Sequence, residues 1–239
     1  MLNPFIVKMQ RRDGFSAQER AVLEDAVARV RVLGPHEDVV REGDRPTDST
    51  LVLEGVTCRY NLLGDGKRQI TAIHVTGDFV DLHSFPLKVM DHGVATLTTC
   101  RLGVVPHVRL KAITEQFPHL TRILWLSTLM DGSIHRQWIV TMGRMPALGQ
   151  LAHLLCELYL RLEAVNEASD LRFRLPLTQT DLADTLGLTP VHVNRIVQEL
   201  RQNGVVLWRT PDVQILDWDR LVELAEFDPR YLHLHHEPR

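Results

Sequence analysis

One short segment, 179–196, has the residue pattern of two helices joined by a tight turn. Ala183 is the small residue that a close contact between two helices requires, and Gly187 can adopt the positive φ with which a chain leaves a helix. The inward positions are taken by Leu182, Leu186, Leu188, Val193 and Ile196. This pattern predicts a helix-turn-helix, with helices over 179–186 and 190–202.

Both predicted helices carry start signals. Thr178 can cap the first helix, and Thr189 precedes Pro190 at the start of the second. In DNA-binding proteins of this type, the outer residues near the start of the second helix reach base edges in the major groove. The sequence therefore predicts a DNA-reading surface. The predicted DNA-binding residues are Thr178, Thr189, Val191, His192, Asn194, Arg195 and Gln198.

Arg195 and Asn194 are the residues expected to read the DNA. An arginine can bind a guanine through two hydrogen bonds, and an asparagine can read an adenine or hold a phosphate. An ion pair of Arg195 with Glu199 is the alternative, and the two are compatible. Thr178 and Thr189, at helix N-termini, are expected to contact phosphates.

The segments around the predicted helix pair complete a winged domain. The runs 205–208 and 213–216 flank a turn and predict the two strands of a wing, whereas the polar residues 164–174 predict a hinge. Segment 145–222 contains seven Arg and no Lys against ten Asp or Glu. Binding of DNA phosphates therefore requires that positive charge be gathered on one face.

The first half of the chain has a different pattern of residue types. A capping box at Ser16–Glu19 predicts a helix that Gly34-Pro35 ends. From about 37 to 107, short β-branched runs alternate with Gly and Asp, and Gly64-Asp65-Gly66 has the composition of a hairpin tip. Several short strands at regular spacing predict a compact β-barrel or roll.

A helical pattern begins after Phe117-Pro118 and predicts one long helix followed by another over 146–163. Apolar and polar residues recur along the long helix at alternating spacings of four and three, which favours pairing with a second copy. Packing of this helix on its own domain is the alternative. The predicted dimer-interface residues are Ile123, Ser127, Met130, Ile134 and Gln137.

Composition is that of an ordinary globular protein: 239 residues, 44% hydrophobic and 24% charged, with a formal net charge of −3. Three widely spaced cysteines indicate a reducing compartment and provide no iron–sulfur or zinc framework. The apolar core of a signal peptide is missing, and the densest apolar stretch, Ile123–Met130, is too short to span a bilayer. We expect a cytoplasmic protein without a membrane partner, a metal site or a catalytic site.

A β-roll, a long helix and a winged helix-turn-helix in this order resemble the cyclic-AMP receptor protein/FNR (CRP/FNR) family of bacterial transcription regulators. The resemblance covers nearly the whole chain. Its residues are Gly43-Asp44, Leu51–Gly55, Gly77-Asp78-Phe79-Val80 and Leu177–Leu200.

The resemblance implies an α+β fold and separate segments of the chain for effector binding, dimerisation and DNA binding. Residues 1–118 would form an effector-binding roll like cyclic-nucleotide-binding domains, 119–143 the dimerisation helix, 144–225 the DNA-binding domain and 226–239 a tail. It also implies a homodimer on a palindromic operator in double-stranded DNA, in contact with RNA polymerase and with a small-molecule effector. Many members have a Glu where this chain has Val191, so the operator sequence is not inherited from the family.

The resemblance is weakest at the positions that bind the ligand in members that bind cyclic AMP. Members that bind cyclic AMP carry a Gly-Glu-Leu and then an Arg-Ser pair, and the corresponding places look like Asp81-Leu82-His83 and His92-Gly93. Without that Arg the planar grip on the cyclic phosphate is lost, so we expect no tight binding of cyclic AMP. In those members a Thr-Ser pair on the dimer helix contacts adenine, and it lines up roughly with His135-Arg136 of this chain. The predicted effector pocket consists of Asp81, Leu82, His83, His92, Gly93 and His135, and its effector and any cofactor are unknown at this stage.

Other sensing modes and functions have also to be considered. The N-terminal cysteine cluster of FNR-like oxygen sensors is missing, whereas haem binding stays open through His74, His83, His92 and His107. A cyclic-nucleotide-binding regulatory module without a DNA role is the alternative function, and the helix-turn-helix pattern counts against it. An enzyme built on a cupin-like barrel lacks the required His-x-His motif in the roll, so we expect no enzymatic activity.

Overall fold

A computed structural model describes residues 3–239. The chain divides into two compact units. The first, here called the roll unit, contains residues 3–61, 71–132 and 233–239. The second, the C-terminal unit, contains residues 62–70 and 133–232. No helix within the described residues is long and apolar enough to cross a bilayer.

The roll begins with two helices and is built from two sheets. The helices are α1 (Pro4–Gln10) and α2 (Ala17–Ala26). The strands are β1 (Arg29–Leu33), β2 (Asp38–Val40), β3 (Asp48–Glu54), β4 (Thr57–Leu62), β5 (Arg68–His74), β6 (Gly93–Thr96) and β7 (Cys100–Pro106). One sheet has the order β1-β7-β3 and the other β2-β6-β4-β5, with antiparallel pairing of β7 to β1 and β3 and of β6 to β2 and β4. The predicted β-roll is confirmed.

Helices follow the strands of the roll. They are α3 (Ser84–Leu87), between β5 and β6, then α4 (His107–Gln116), α5 (Pro118–Arg144) and α6 (Ala147–Glu163). The C-terminal unit continues with β8 (Ala168–Ser169), β9 (Arg172–Arg174), α7 (Gln179–Leu186), α8 (Pro190–Gln202), β10 (Val206–Arg209), β11 (Asp212–Ile215), α9 (Trp218–Leu224) and a 3-10 turn at Pro229–Leu232.

Several elements differ from the prediction. The helix that begins after Ser16 ends at Ala26, and residues 29–33 form β1, because alternating Val residues in this stretch pair with β7 instead of continuing the helix. The predicted hinge at 164–174 contains β8 and β9, which extend the wing sheet to the order β10-β11-β9-β8. Helices α1 and α4 were not predicted.

The core of the roll unit covers part of the predicted dimer seam. Ile123 is fully buried, and Met130 is 3% exposed, in the same apolar cluster as Phe5 and Met9 of α1. Ser127 is also buried, at 7% exposure. These three side chains face the interior of their own protomer and cannot line a contact with a second copy, so this part of the seam prediction is wrong. Ile134 and Gln137 are half-buried.

A histidine on α5 joins two carboxylates of the N-terminal segment within the roll unit. His119 Nδ1 lies 2.7 Å from Glu19 Oε1, and its Nε2 lies 3.1 Å from Asp13 Oδ2. Burial alone would lower the pKa of His119, but the hydrogen bonds and charges of Glu19 and Asp13 outweigh it and raise the pKa above the ordinary 6.5. The protonated imidazole therefore stabilises the fold.

We expect His119→Gln to lose more stability in mild acid than in base. Because the folded-state pKa is raised, the stabilising contribution is fully present below about pH 6.5 and is lost as the pH rises through the folded pKa. Urea denaturation at pH 5.5 and 8.5 should give a destabilisation of about 1 kcal/mol at the lower pH and much less at the higher pH. A difference between variant and wild type that does not change with pH would contradict this.

Candidate nucleic-acid interface and effector pocket

The two helices of the helix-turn-helix begin and end as the sequence predicts. Thr178 Oγ1 accepts a hydrogen bond from the Asp181 amide at 3.0 Å, and the Asp181 carboxylate accepts one from the Thr178 amide at 3.1 Å, forming a capping box. Gly187 ends α7 with φ +65°. Thr189 caps α8, its hydroxyl accepting from the His192 amide at 3.3 Å.

The inward residues of the two helices form a small core. Leu188, which was predicted to face inward, is half-buried, as is Val197. The buried members are Leu182, Ala183, Leu186, Val193, Ile196 and Leu200. This core holds α7 and α8 together, so the outer face of α8 has a fixed orientation relative to α7.

The N-terminal half of α8 carries the exposed residues that were predicted to read DNA. Val191 is 82% exposed, and Asn194 and Arg195 are exposed as well. His192 and Gln198 are half-buried. Within residues 3–239 no ion pair joins Arg195 to Glu199 (N···O within 4.0 Å), which leaves the guanidinium available to an external acceptor.

The two threonines predicted to contact phosphates are both exposed. Their hydroxyls also serve as caps, and Thr178 Oγ1 donates to Asp181 Oδ2 at 2.6 Å. The amides of the first turn of α8, beside Thr189, are the other donors that a phosphate could use there.

The wing sheet adds positive charge that the sequence reasoning missed. Arg174 lies opposite Asp212, which lies opposite Arg209. Two residues further along the strands, Arg172 lies opposite Gln214. Residues directly opposite one another in neighbouring strands share a face. The other face is buried through Phe173, Val213 and Trp208. The alternation Arg-Phe-Arg at 172–174 was the available signal for this exposed basic face.

An arginine of segment 62–70, which belongs to the C-terminal unit, binds the first helix of the motif. Arg68 Nε donates to Asp184 Oδ2, and its Nη2 donates to Asp181 Oδ1, both at 2.8 Å. Asp181 is 1% exposed and is also the capping partner of Thr178. The guanidinium thus compensates the buried charge at the start of α7. No sequence pattern identified this contact.

The roll unit brings two of the predicted pocket residues together. The rings of His83, which precedes α3, and His92, which precedes β6, have centroids 5.0 Å apart. His92 Nδ1 is hydrogen-bonded to Asp91 Oδ1 at 2.7 Å. Burial lowers the pKa of both histidines, that of His83 to about 4, and the charge of Arg59 lowers both further. Both imidazoles are therefore neutral at neutral pH.

The other predicted pocket residues have structural surroundings of their own. Asp81 is buried, accepts a hydrogen bond from the Thr50 amide, and has its pKa raised by burial to about 7. Leu82 packs against the apolar core. A Cβ on Gly93 would lie 2.5 Å from the Tyr60 ring, so this position is closed by an aromatic side chain. His135 lies half-buried on α5, in the C-terminal unit.

The remaining histidines that left haem binding open have neighbours within the protein. His107 Nε2 lies 3.1 Å from Ser49 Oγ and 3.3 Å from Ser84 Oγ. His74 is buried beside Asp78, with Nδ1 3.9 Å from Oδ2. Of these four histidines, His83 and His92 have rings that lie against each other.

Two protein-family models match this chain. Residues 30–117 match the cyclic nucleotide-binding domain family and residues 149–224 the Crp-like helix-turn-helix domain family. The nitrogen fixation regulation protein FixK of Bradyrhizobium diazoefficiens is 32% identical over 194 residues, which cover 79% of this chain and 78% of FixK. The chain belongs to the CRP/FNR family.

Further CRP/FNR relatives agree in sequence and in structure. The transcriptional activator Anr of Pseudomonas aeruginosa is 28% identical over 85% of this chain and 83% of its own length. The solved structure of FixK2 from Bradyrhizobium japonicum superposes with a TM-score of 0.75 at 25% identity, covering 83% of this chain and 97% of FixK2. The CRP/FNR family consists of transcription regulators and not of enzymes, and this chain is a transcription regulator with a helix-turn-helix DNA-binding domain.

Proposed function

We propose that this CRP/FNR regulator acts in the cytoplasm as a homodimer on a palindromic operator, with α8 of each protomer in the major groove. The observation that carries the proposal is the exposed set Val191, Asn194 and Arg195 on the first turns of a well-capped helix. In known helix-turn-helix proteins, these are the positions that reach base edges. The exposed arginines of the wing sheet supply charge for the phosphates, and RNA polymerase is the partner through which binding would alter transcription.

The dimer would form along an exposed apolar face of α5. Trp125, Leu129 and Ile139 are 65%, 54% and 68% exposed. At 100° per residue they lie within one narrow sector of the helix. Large exposed apolar side chains on one side of a helix are typical of a helix that packs on another copy. This face replaces the part of the predicted seam that the roll core covers.

The effector would be something other than cyclic AMP. The buried arginine of β4, Arg59, donates to the Val80 carbonyl at 2.9 Å and forms an ion pair with Asp131 of α5. A cyclic phosphate would have to displace that carboxylate. The ring of Tyr60 fills the space in front of Gly93, where members that bind cyclic AMP are expected to grip the phosphate.

Selection of duplexes from a random library by the purified protein tests the proposal. We expect enrichment of an inverted repeat whose half-sites are about 10 base pairs apart, centre to centre, as for other dimeric helix-turn-helix proteins. Enrichment of a single unrepeated site would contradict the dimeric arrangement. Failure to enrich any sequence would contradict operator binding itself.

Arg195→Ala should lose about 1–3 kcal/mol of affinity for the selected operator, which is roughly 5- to 150-fold, because it removes a bidentate contact to guanine. Binding to a scrambled duplex should change much less. The matched control is Arg201→Ala, an exposed arginine at the other end of α8. The control should leave the ratio of specific to nonspecific affinity unchanged. An undiminished ratio in Arg195→Ala would remove Arg195 from the reading surface.

A further inference from the structure

The roll unit contains two histidines in ring contact, each with a buried Nε2 atom that has no hydrogen-bond partner. They are His83 and His92. Buried polar atoms are almost always satisfied, so an unsatisfied pair in neighbouring rings indicates a missing ligand or ion. Among the described residues, a ligand atom of His83, one of His92 and one of Asp91 all lie within 4.8 Å of one another.

We propose that His83 and His92 bind one divalent transition-metal ion through their Nε2 atoms, with Asp91 orienting the ring of His92. Imidazole nitrogens favour ions such as Zn²⁺, Co²⁺ and Ni²⁺ over Mg²⁺ and Ca²⁺. This assignment departs from the sequence-based expectation of no metal site, which rested on the absence of a recognisable ligand spacing.

The hydrogen bond between Asp91 Oδ1 and His92 Nδ1, at 2.7 Å, has the form of a carboxylate–histidine–metal arrangement. A carboxylate that accepts from Nδ1–H fixes the tautomer in which Nε2 carries the lone pair and so can ligate. Asp91 is 76% exposed at its side chain, whereas His92 is 13% exposed, so the carboxylate lies on the solvent side of the ring.

The charges around the pair permit a cation. The groups whose charges act on both histidines are Arg59, Asp131 and Asp91. The guanidinium of Arg59 is paired with the carboxylate of Asp131, so its positive charge is compensated.

Metal binding at this cluster does not depend on the DNA-binding role, but its use as the effector site of the roll rests on the function proposed above. Titration with Co²⁺ requires no DNA and thereby separates the two. If the metal site fails, operator selection is unaffected, and if operator binding fails, the metal titration still reports on the cluster.

The experiment is a Co²⁺ titration of the full chain after removal of metals with a chelator, followed by visible absorption. We expect one saturable site with d–d bands typical of nitrogen and oxygen ligands and without a thiolate-to-cobalt charge-transfer band. The variant His83→Gln/His92→Gln should bind at least tenfold more weakly. The matched control His235→Gln/His236→Gln removes two exposed tail histidines and should bind as the unsubstituted protein does.

The variant Asp91→Asn tests the same site in case the double histidine variant does not fold. Asp91 is exposed and does not contribute to the core, so its replacement should leave folding unchanged. Loss of an orienting carboxylate typically weakens metal binding about 10- to 100-fold, and we expect a loss in this range. Equal affinity of the double variant and the unsubstituted protein, loss of binding in the tail variant alone, or no saturable binding by the unsubstituted protein would each overturn the proposal.

Discussion

Replacing Glu157 by Leu should lower the free energy of unfolding by about 3–5 kcal/mol, because it breaks a fully buried ion pair on one side only. Glu157 lies on α6 with no exposed surface. Its Oε1 accepts from Arg161 at 2.7 Å, and its Oε2 accepts from Trp138 Nε1 at 3.0 Å and from Tyr231 Oη at 2.9 Å. One carboxylate thus connects α5, α6 and the 3-10 turn of the C-terminal unit.

Urea denaturation measures the loss in free energy of unfolding, provided that the variant and the wild type have the same m-value. The matched comparison is the double variant Glu157→Leu/Arg161→Met, in which both charges are replaced by apolar groups. Because a buried ion pair replaced as a whole costs much less than one broken on one side, the double variant should recover a large part of the stability. A single variant that loses less than about 1 kcal/mol would show that the carboxylate is not the structural centre of the unit.

The helix-turn-helix could be predicted from the sequence because its determinants are local. Caps, the turn glycine and the inward periodicity all lie within 25 residues, and the helices at Gln179–Leu186 and Pro190–Gln202 begin and end where the sequence indicates. Asn194 and Arg195 are exposed, in agreement with the outward face. Local signals fix such a motif before any long-range contact is known.

The face of α5 could not be assigned for the opposite reason. Periodicity shows which residues share a side of a helix but not what covers that side. Ile123 and Met130 are covered by a core that includes α1, a helix of seven residues too short to give a reliable helical period. Packing within the protomer was the alternative interpretation of this stripe.

The contacts of buried charged groups were equally inaccessible to sequence reasoning. Glu157 meets Tyr231 across 74 positions of the chain, and Arg68 meets Asp181 across 113. No pattern of residue types marks such pairs, since their geometry exists only after the units have folded. The proximity of His83 and His92 was partly foreseen through the pocket resemblance, but their unpartnered Nε2 atoms were not.

Leu129→Glu should convert the proposed dimer to monomer. Leu129 is 54% exposed on α5 in the protomer, between Trp125 and Ile139 on the exposed face. Full burial of one leucine contributes about 1.5–3 kcal/mol, and about half of the Leu129 side chain is still exposed in the protomer. A twofold interface contains each residue twice, so losing both contacts costs roughly 1.6–3 kcal/mol. At 1.4 kcal/mol per tenfold, the dimer dissociation constant should rise by at least about tenfold.

Because Leu129 is already exposed in the protomer, its replacement should not alter folding. The variant should therefore be a stably folded monomer. Sedimentation velocity over a concentration series measures the shift, and Val108→Glu, at 74% exposure on α4, is the matched control that should stay dimeric. A monomer can place only one α8 on a palindrome, so operator affinity should fall together with dimerisation. A Leu129→Glu protein that sediments as a dimer and binds the palindrome normally would place the twofold contact elsewhere in the molecule.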